Sequence, residues 1–289
     1  MIMRVTQSMI SNNTLRNISQ SYSKLSKLND QSVSGKKFDK PSDDPVAAML
    51  AMSYRTDLNK IEQFQQNIST SQNWVNSTDD ALSAVGDALQ KIRELTVQVS
   101  NGTLEDSQRS YIGLEIKELK KQISDLADTQ VGDKYIFGGT KTDQRPSDDL
   151  LNATGTVEIE VFSGITLPLN IEGASIFSDM FKGIDQLTQA IDDPNTDPAT
   201  FTNFIADIDQ QLDVVLTNRA VVGARQNRVD LMESRLIQQE IFSTRILSDN
   251  EDVDLERVLI DLTTQESVHR AALGVGAKIM QPTLMDFLR

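Results

Sequence analysis

The single histidine, His269, is the first residue to weigh for chemistry, because a Ser–His–Asp hydrolase or a histidine metal site would rest on it. No G-x-S-x-G elbow precedes it, and the absence of cysteine removes thiolate nucleophiles, disulfides and Cys-type zinc. His269 stands in helical register with Leu255, Val258 and Leu262, which makes it a helix-interface residue. Ser21-Tyr22-Ser23-Lys24 and Ser34-Gly35-Lys36-Lys37 satisfy S-x-x-K, but no companion motif of that catalytic set is present. The acidic run Asp249–Asp254 has the composition of a calcium loop and lacks its glycine at position six, so it reads as a helix break followed by an N-cap. Gly274-Val275-Gly276 follows a helix, not a strand, and reads as close helix packing instead of a dinucleotide fingerprint. No catalytic, cofactor-binding or metal-binding residue is assigned, and no cofactor is expected.

Composition agrees with a non-enzymatic chain. Its 289 residues carry a net charge of −14, which disfavours nucleic acid because nothing broad and basic is available to neutralise phosphates. Only 38% of residues are apolar and 5% aromatic, a thin supply for a compact globule of this length and an adequate one for an elongated helical protein. No membrane insertion and no cleaved signal peptide are expected, since no apolar run is long enough. Composition alone would make this a soluble cytosolic protein.

The elements are mostly helices. Ile61, Phe64, Ile68, Ser71, Val75, Thr78, Leu82, Val85, Leu89, Ile92, Thr96 and Val99 step by threes and fours, the period of a coiled-coil seam. Asp43 or Asp44 supplies the N-cap, Pro45 the first helical position, and Asn101-Gly102 the stop. Ile112, Ile116, Leu119, Ile123 and Leu126 define a second helix folding back on the first. A long partner helix is expected from about Ala199 to Ser248, carrying Phe201, Ile205, Ile208, Leu212, Val215, Val222, Val229, Met232, Leu236 and Ile246. Between them the pattern changes: a short strand at 134–139, alternation over 156–162, and another strand over 165–171 after Ser163-Gly164. A short helix over 178–191 returns the chain to the rod.

The ends complement each other. Residues 1–40 have a charge balance of +5 and residues 250–289 of −3. Leu15, Ile18, Tyr22 and Leu25 on one end, and Leu255, Val258, Leu262, Leu273 and Ile279 on the other, are therefore assigned to helix pairing and self-assembly. Each stripe is thin, so the ends are expected to be partly disordered in the monomer and stabilised by neighbouring copies. The fold class is mainly α: an elongated antiparallel helical bundle or coiled coil with paired terminal helices and a small β-rich insert. The expected domains are 1–42 with 250–289 (polymerisation), 43–142 with 178–249 (rod), and 143–177 (insert).

Four stretches carry a family likeness. Leu28 to Ala48 (LNDQSVSGKKFDKPSDDPVAA) resembles the turn of the flagellin superfamily, in which a terminal helix ends at Ser-Gly and a Pro/Asp-rich stretch opens the long helix. This assigns Ser34, Gly35, Pro41, Asp43, Asp44 and Pro45 to a helix-start turn. Gly132 to Thr142 (GDKYIFGGTKT) is similar to the segment leaving the rod in hook-associated members at the hook–filament junction. Asn227 onward (NRVDLMESRL) resembles the family's second long helix, and AKIMQPTLMDFLR its ending. The resemblance implies an extracellular axial protein of the bacterial flagellum, lying between the hook-associated layer and the filament and exported unfolded through the flagellar type III apparatus. It implies as partners copies of the chain itself, hook-associated protein 1, flagellin and a flagellar export chaperone. The alternatives are flagellin itself and a cytoplasmic signalling coiled coil.

Overall fold

The computed structural model describes residues 7–101, 105–193 and 196–280. Six helices are present among them: α1 (Gln7–Ser34), α2 (Pro45–Ser100), α3 (Asp106–Ala127), α4 (Gly173–Asp192), α5 (Pro198–Glu251) and α6 (Leu255–Met280). Two antiparallel hairpins stand between α3 and α4: β1 (Gln130–Val131) with β2 (Lys134–Tyr135), and β3 (Glu158–Phe162) with β4 (Ile165–Pro168). The chain divides into two compact units, one of residues up to 59 with those from 240 onward, the other of residues 60–239. That division falls inside the long helices α2 and α5, because the first turns of α2 and the last of α5 pack with the terminal segments.

In the 60–239 unit, the three-four spacing becomes a buried stripe. Every seam residue from Ile61 to Val99 is buried except Phe64, which is half-covered. Ser71, Thr78 and Thr96 sit in it without penalty because each hydroxyl donates to the carbonyl four residues earlier. On α5 the buried positions Phe201, Ile208, Val215, Val222, Val229 and Leu236 recur every seven residues. In the pairs Arg93–Asp209, Asp79–Arg219, Asn76–Gln226 and Gln72–Glu233 the α2 positions descend as the α5 positions rise, so the two helices run antiparallel. Hydrogen bonds donated to the Asp209 and Asp79 carboxylates hold the pKa values of the Arg93 and Arg219 guanidinium groups above the usual arginine value.

α3 adds Ile116 and Ile123 to the same core and lies antiparallel to α4 through Lys117–Asp192 and Lys120–Asp185. It starts with a capping box between Glu105 and Gln108. The expected start of the helix at 178 is corrected to Gly173. The apolar stripe Ile176, Phe177, Met180, Ile184, Leu187 and Ile191 already begins within the first turn, so the small residues 173–175 are helical, not loop.

The hairpin module leans on its helices. Phe162 stacks on Phe64 with ring centres 6.2 Å apart, the Arg235 guanidinium lies over the Phe162 ring 4.2 Å from its centre, and Asn67 donates to the Glu160 carbonyl. The fully buried Asn170 closes the module: its Oδ1 accepts from Val157 N at 2.7 Å and its Nδ2 donates to the Gly155 carbonyl. Arg225 of α5 donates to the Asn170 carbonyl, and burial pushes this guanidinium below the ordinary arginine value. Asp128, just past α3, holds Ser147 through its hydroxyl and its N–H.

Candidate assembly surface

The unit made by the two ends starts from a turn. α1 stops at Ser34 because Gly35 takes a left-handed conformation (φ 70°), a position open to glycine at no steric cost, and its N–H closes on the Gln31 carbonyl. The chain then runs alongside the break between α5 and α6. The backbones of Lys36 and Asp252 lie opposite each other as an isolated antiparallel pair, Lys37 N donates to the Glu251 carbonyl, and Val253 N donates to the Gly35 carbonyl. Of the two N-cap candidates for α2, Asp44 takes the role: its Oδ1 accepts from the N–H groups of Val46 and Ala47. Asp43 instead accepts from Lys40 N, and Pro41 and Pro45 lie on the exposed rim of the turn. α2 ends at Ser100; Gly102 of the expected stop lies outside the described residues.

Glu251 organises this junction. Its side chain is 5% exposed and takes Lys36 Nζ at 2.5 Å together with the Arg55 guanidinium, while neighbouring Asn250 donates to the Ala47 carbonyl. A buried carboxylate needs such partners, because an unpaired charge away from water is costly. The acidic run therefore contains a clamp at Glu251, a break at residues 252–254, and a cap in which Asp254 accepts from Arg257 N.

α1 and α6 pack antiparallel along a heptad seam. Thr14, Ile18, Ser21, Leu25 and Leu28 meet Val258, Leu262, Gln265, His269, Ala272 and Gly276, all buried or half-buried. At one end the helices approach closely: a Cβ on Gly276 would lie 3.0 Å from Ile18 Cδ1 and 3.3 Å from Thr14 Cγ2. Gly274 has open space around it, so of the two glycines only Gly276 serves packing. In the middle, Gln265 Nε2 donates to Ser21 Oγ at 3.0 Å and reaches its carbonyl, and His269 Nδ1 lies 3.2 Å from Ser21 Oγ. This Ser–His contact lacks the rest of a hydrolase: Ser21 is buried between helices, and no carboxylate is hydrogen-bonded to His269 among the described residues. It acts as a polar pin that fixes register. Ser34 Oγ likewise donates to the Asp30 carbonyl of its own helix. Among the described residues no group of His, Cys, Asp and Glu could hold a metal ion, and no helix is long and apolar enough to cross a membrane.

The residues assigned to self-assembly fall into two sets. Ile18, Leu25, Val258 and Leu262 lie in the α1–α6 seam. Leu15, Tyr22, Leu255 and Leu273 are exposed, so the expectation of one face per end is corrected: the seven-residue steps 15–22 and 18–25 run down different sides of α1. The side chain of Ile279 lies outside the described residues. α6 shows more apolar surface than was expected from sequence, with Leu255, Leu259, Ile260, Val268, Leu273 and Val275 each 47–65% exposed. Val46, Met49, Leu50 and Met52 add exposed apolar surface at the start of α2, and Ile241 and Phe242 near the end of α5. The missed residues Ser21 and Gln265 carried a readable signal, since both occupy heptad positions.

A model of the bacterial flagellin N-terminal helical region matches residues 5–142. Flagellar hook-associated protein 3 of Escherichia coli K12 is 25% identical over 300 residues, covering 93% of this chain and 95% of that protein. The flagellin of Listeria innocua is 24% identical, with 98% of each chain covered. A solved structure described as a putative flagellar hook-associated protein from Vibrio parahaemolyticus superposes with a TM-score of 0.67 at 24% identity. It covers 73% of this chain and 100% of that one, a likeness of fold.

Proposed function

We propose that this chain, similar over its first half to the flagellin N-terminal helical region and along most of its length to flagellar hook-associated protein 3, is the axial piece joining the hook-associated layer to the flagellin filament. The observation that carries the reading is the apolar surface of α6. One face of that helix is covered by α1, and the exposed apolar residues on the others would be covered by neighbouring subunits. The α1–α6 pair forms the polymerisation module; it works by coupling the burial of these faces to assembly, so that the ends gain stability by contact with copies. Heptad packing then resists axial sliding, because a change of register withdraws every knob together.

The partners in this account are copies of the chain, hook-associated protein 1 on the hook side and flagellin on the filament side, with an export chaperone before assembly. The location is the external flagellum, reached by unfolded export without a cleaved signal. A chain with no cysteine and only 5% aromatic residues suits that route. The cytoplasmic signalling reading calls for neither the hairpin module nor the Pro/Asp-rich turn.

Two experiments test the proposal. Sheared flagella should contain this protein at low copy number together with hook and filament, and deleting its gene should release flagellin monomers into the medium. A deletion that leaves no flagellin at all would make it the filament subunit. Leu25→Asp or Leu262→Asp should leave residues 60–239 folded and abolish filament attachment; full filaments on either variant would refute the role of the end pair.

A further inference from the structure

The faces that α4 and α5 turn to each other leave a cleft of about 250 Å3 inside the 60–239 unit. The gap has a local cause. Met180, Ile184 and Leu187 line it together with Gly183, and a Cβ placed on Gly183 would meet nothing within 4 Å. Leu89 of α2 and Ile208 of α5 join those three apolar side chains as a buried floor, and half-buried Phe204 adds an aromatic wall. The rim is polar. Asp179 and Lys182 pair at 3.2 Å, so their charges offset each other. Asp185 and Asp209, neighbours in sequence, are taken by Lys120 and Arg93. Asp207, one turn from Phe204, has no ion pair or side-chain hydrogen bond among the described residues, and neither do the side-chain amides of Gln186, Gln210 and Gln211. Asp207 is therefore the uncompensated charge at the mouth of an apolar cleft.

We propose that this cleft binds a small organic cation, an aliphatic or aromatic body of about six to eight carbons ending in a protonated amine. Its volume lies just below the range that takes drug-sized molecules, which sets the length of that body. The floor removes the carbon body from water, and the Asp207 carboxylate accepts a charge-assisted hydrogen bond from the ammonium. The carbonyl oxygens of the rim glutamines accept its remaining protons, and the face of the Phe204 ring attracts the same charge. The surrounding field has the matching sign: residues 60–239 hold fifteen Lys and Arg against twenty-eight Asp and Glu, a balance of −13. A carboxylate ligand is disfavoured for the same reason. Every lining residue belongs to the 60–239 unit, so the site is independent of the assembly role argued for α1 and α6.

The test titrates the full-length chain, carrying 13C-labelled Ile, Leu and Val methyl groups, with 2-phenylethylammonium at low salt. The methyl signals of Ile184, Leu187 and Ile208 should shift and saturate, while those of Val258 and Leu262 stay in place. 2-Phenylethanol, the same body without the charge, should bind about tenfold more weakly. Asp207→Asn should weaken the ammonium about tenfold and leave the alcohol unchanged. Asp125→Asn removes an equal charge from the exposed surface of α3 and should change neither. Gly183→Leu fills the cleft and should abolish the shifts with both ligands. Open space at Gly183 and the better helix propensity of leucine keep that variant folded, which circular dichroism checks. If it does not fold, the methyl map and Asp207→Asn decide the matter. The proposal is overturned by the absence of saturable shifts, by shifts confined to other methyl groups, by equal affinity for the ammonium and the alcohol, or by binding that survives in folded Gly183→Leu.

Discussion

Val258→Asp separates the two units energetically. Val258 is 7% exposed, and among the described residues no other apolar side chain of the α1–α6 seam is buried as deeply. Losing its burial costs about 1.5–3 kcal/mol, and an unpaired carboxylate in its place adds roughly 1–3 kcal/mol of desolvation. A combined loss of about 3 kcal/mol, divided by a urea slope near 1.5 kcal/mol/M, lowers the midpoint of the end unit by roughly 2 M. The assay reads two signals from one urea titration. Ellipticity at 222 nm reports all helices, whereas fluorescence reports the lone tryptophan, Trp74, buried in the 60–239 core. The variant should show its low-urea ellipticity phase displaced and its Trp74 midpoint moved by less than about 0.2 M. A Trp74 midpoint that falls together with the ellipticity phase would mean that the chain melts as one cooperative body, and the division argued here would be wrong.

Further outcomes are expected. Glu251→Ala should destabilise the end unit by about 1–2 kcal/mol in the same titration, less than the 3–5 kcal/mol typical of a broken buried pair, because Lys36 and Arg55 are 40–50% exposed and can turn to water. Asp44→Ala should cost about 1 kcal/mol through the lost N-cap, and Asp43→Ala clearly less, which thermal melts of the two variants would rank. Thr78→Val should change stability by no more than about 0.5 kcal/mol, since its hydroxyl serves only the Trp74 carbonyl of its own helix. Gly276→Leu should loosen α1 from α6, because even a Cβ there meets Ile18 at 3.0 Å; disulfide trapping of cysteines introduced across the seam would fall.

How much of this was legible in the sequence depended on how local the cause was. The α2 seam could be read residue by residue, since a long run of three-four steps has a single helical solution, and the Pro/Asp-rich turn announced the start of α2. The seven-residue beat of α5 was present too, though mixed with apolar positions that face outward. The start of α4 was misplaced because Gly173, Ala174 and Ser175 look like loop until the packing of Ile176 and Phe177 fixes them. At the ends, periodicity identified stripes without saying which stripe faces α1 or α6 and which is left exposed. Leu15 and Tyr22 were grouped with Ile18 and Leu25 for that reason. Glu251 was hidden for a different one: its partners Lys36 and Arg55 are distant in sequence, and only the fold brings them together.

The central claim concerns α1 and α6, and amide hydrogen exchange addresses it most directly. The full-length chain would be measured as a dilute monomer and again within isolated hook–filament junctions. Amides of residues 7–34 and 255–280 should exchange at least about 100-fold faster in the monomer than those around Leu82–Ile92, and become strongly protected on assembly. End amides already as protected in the dilute monomer as those of the α2 core would contradict the account.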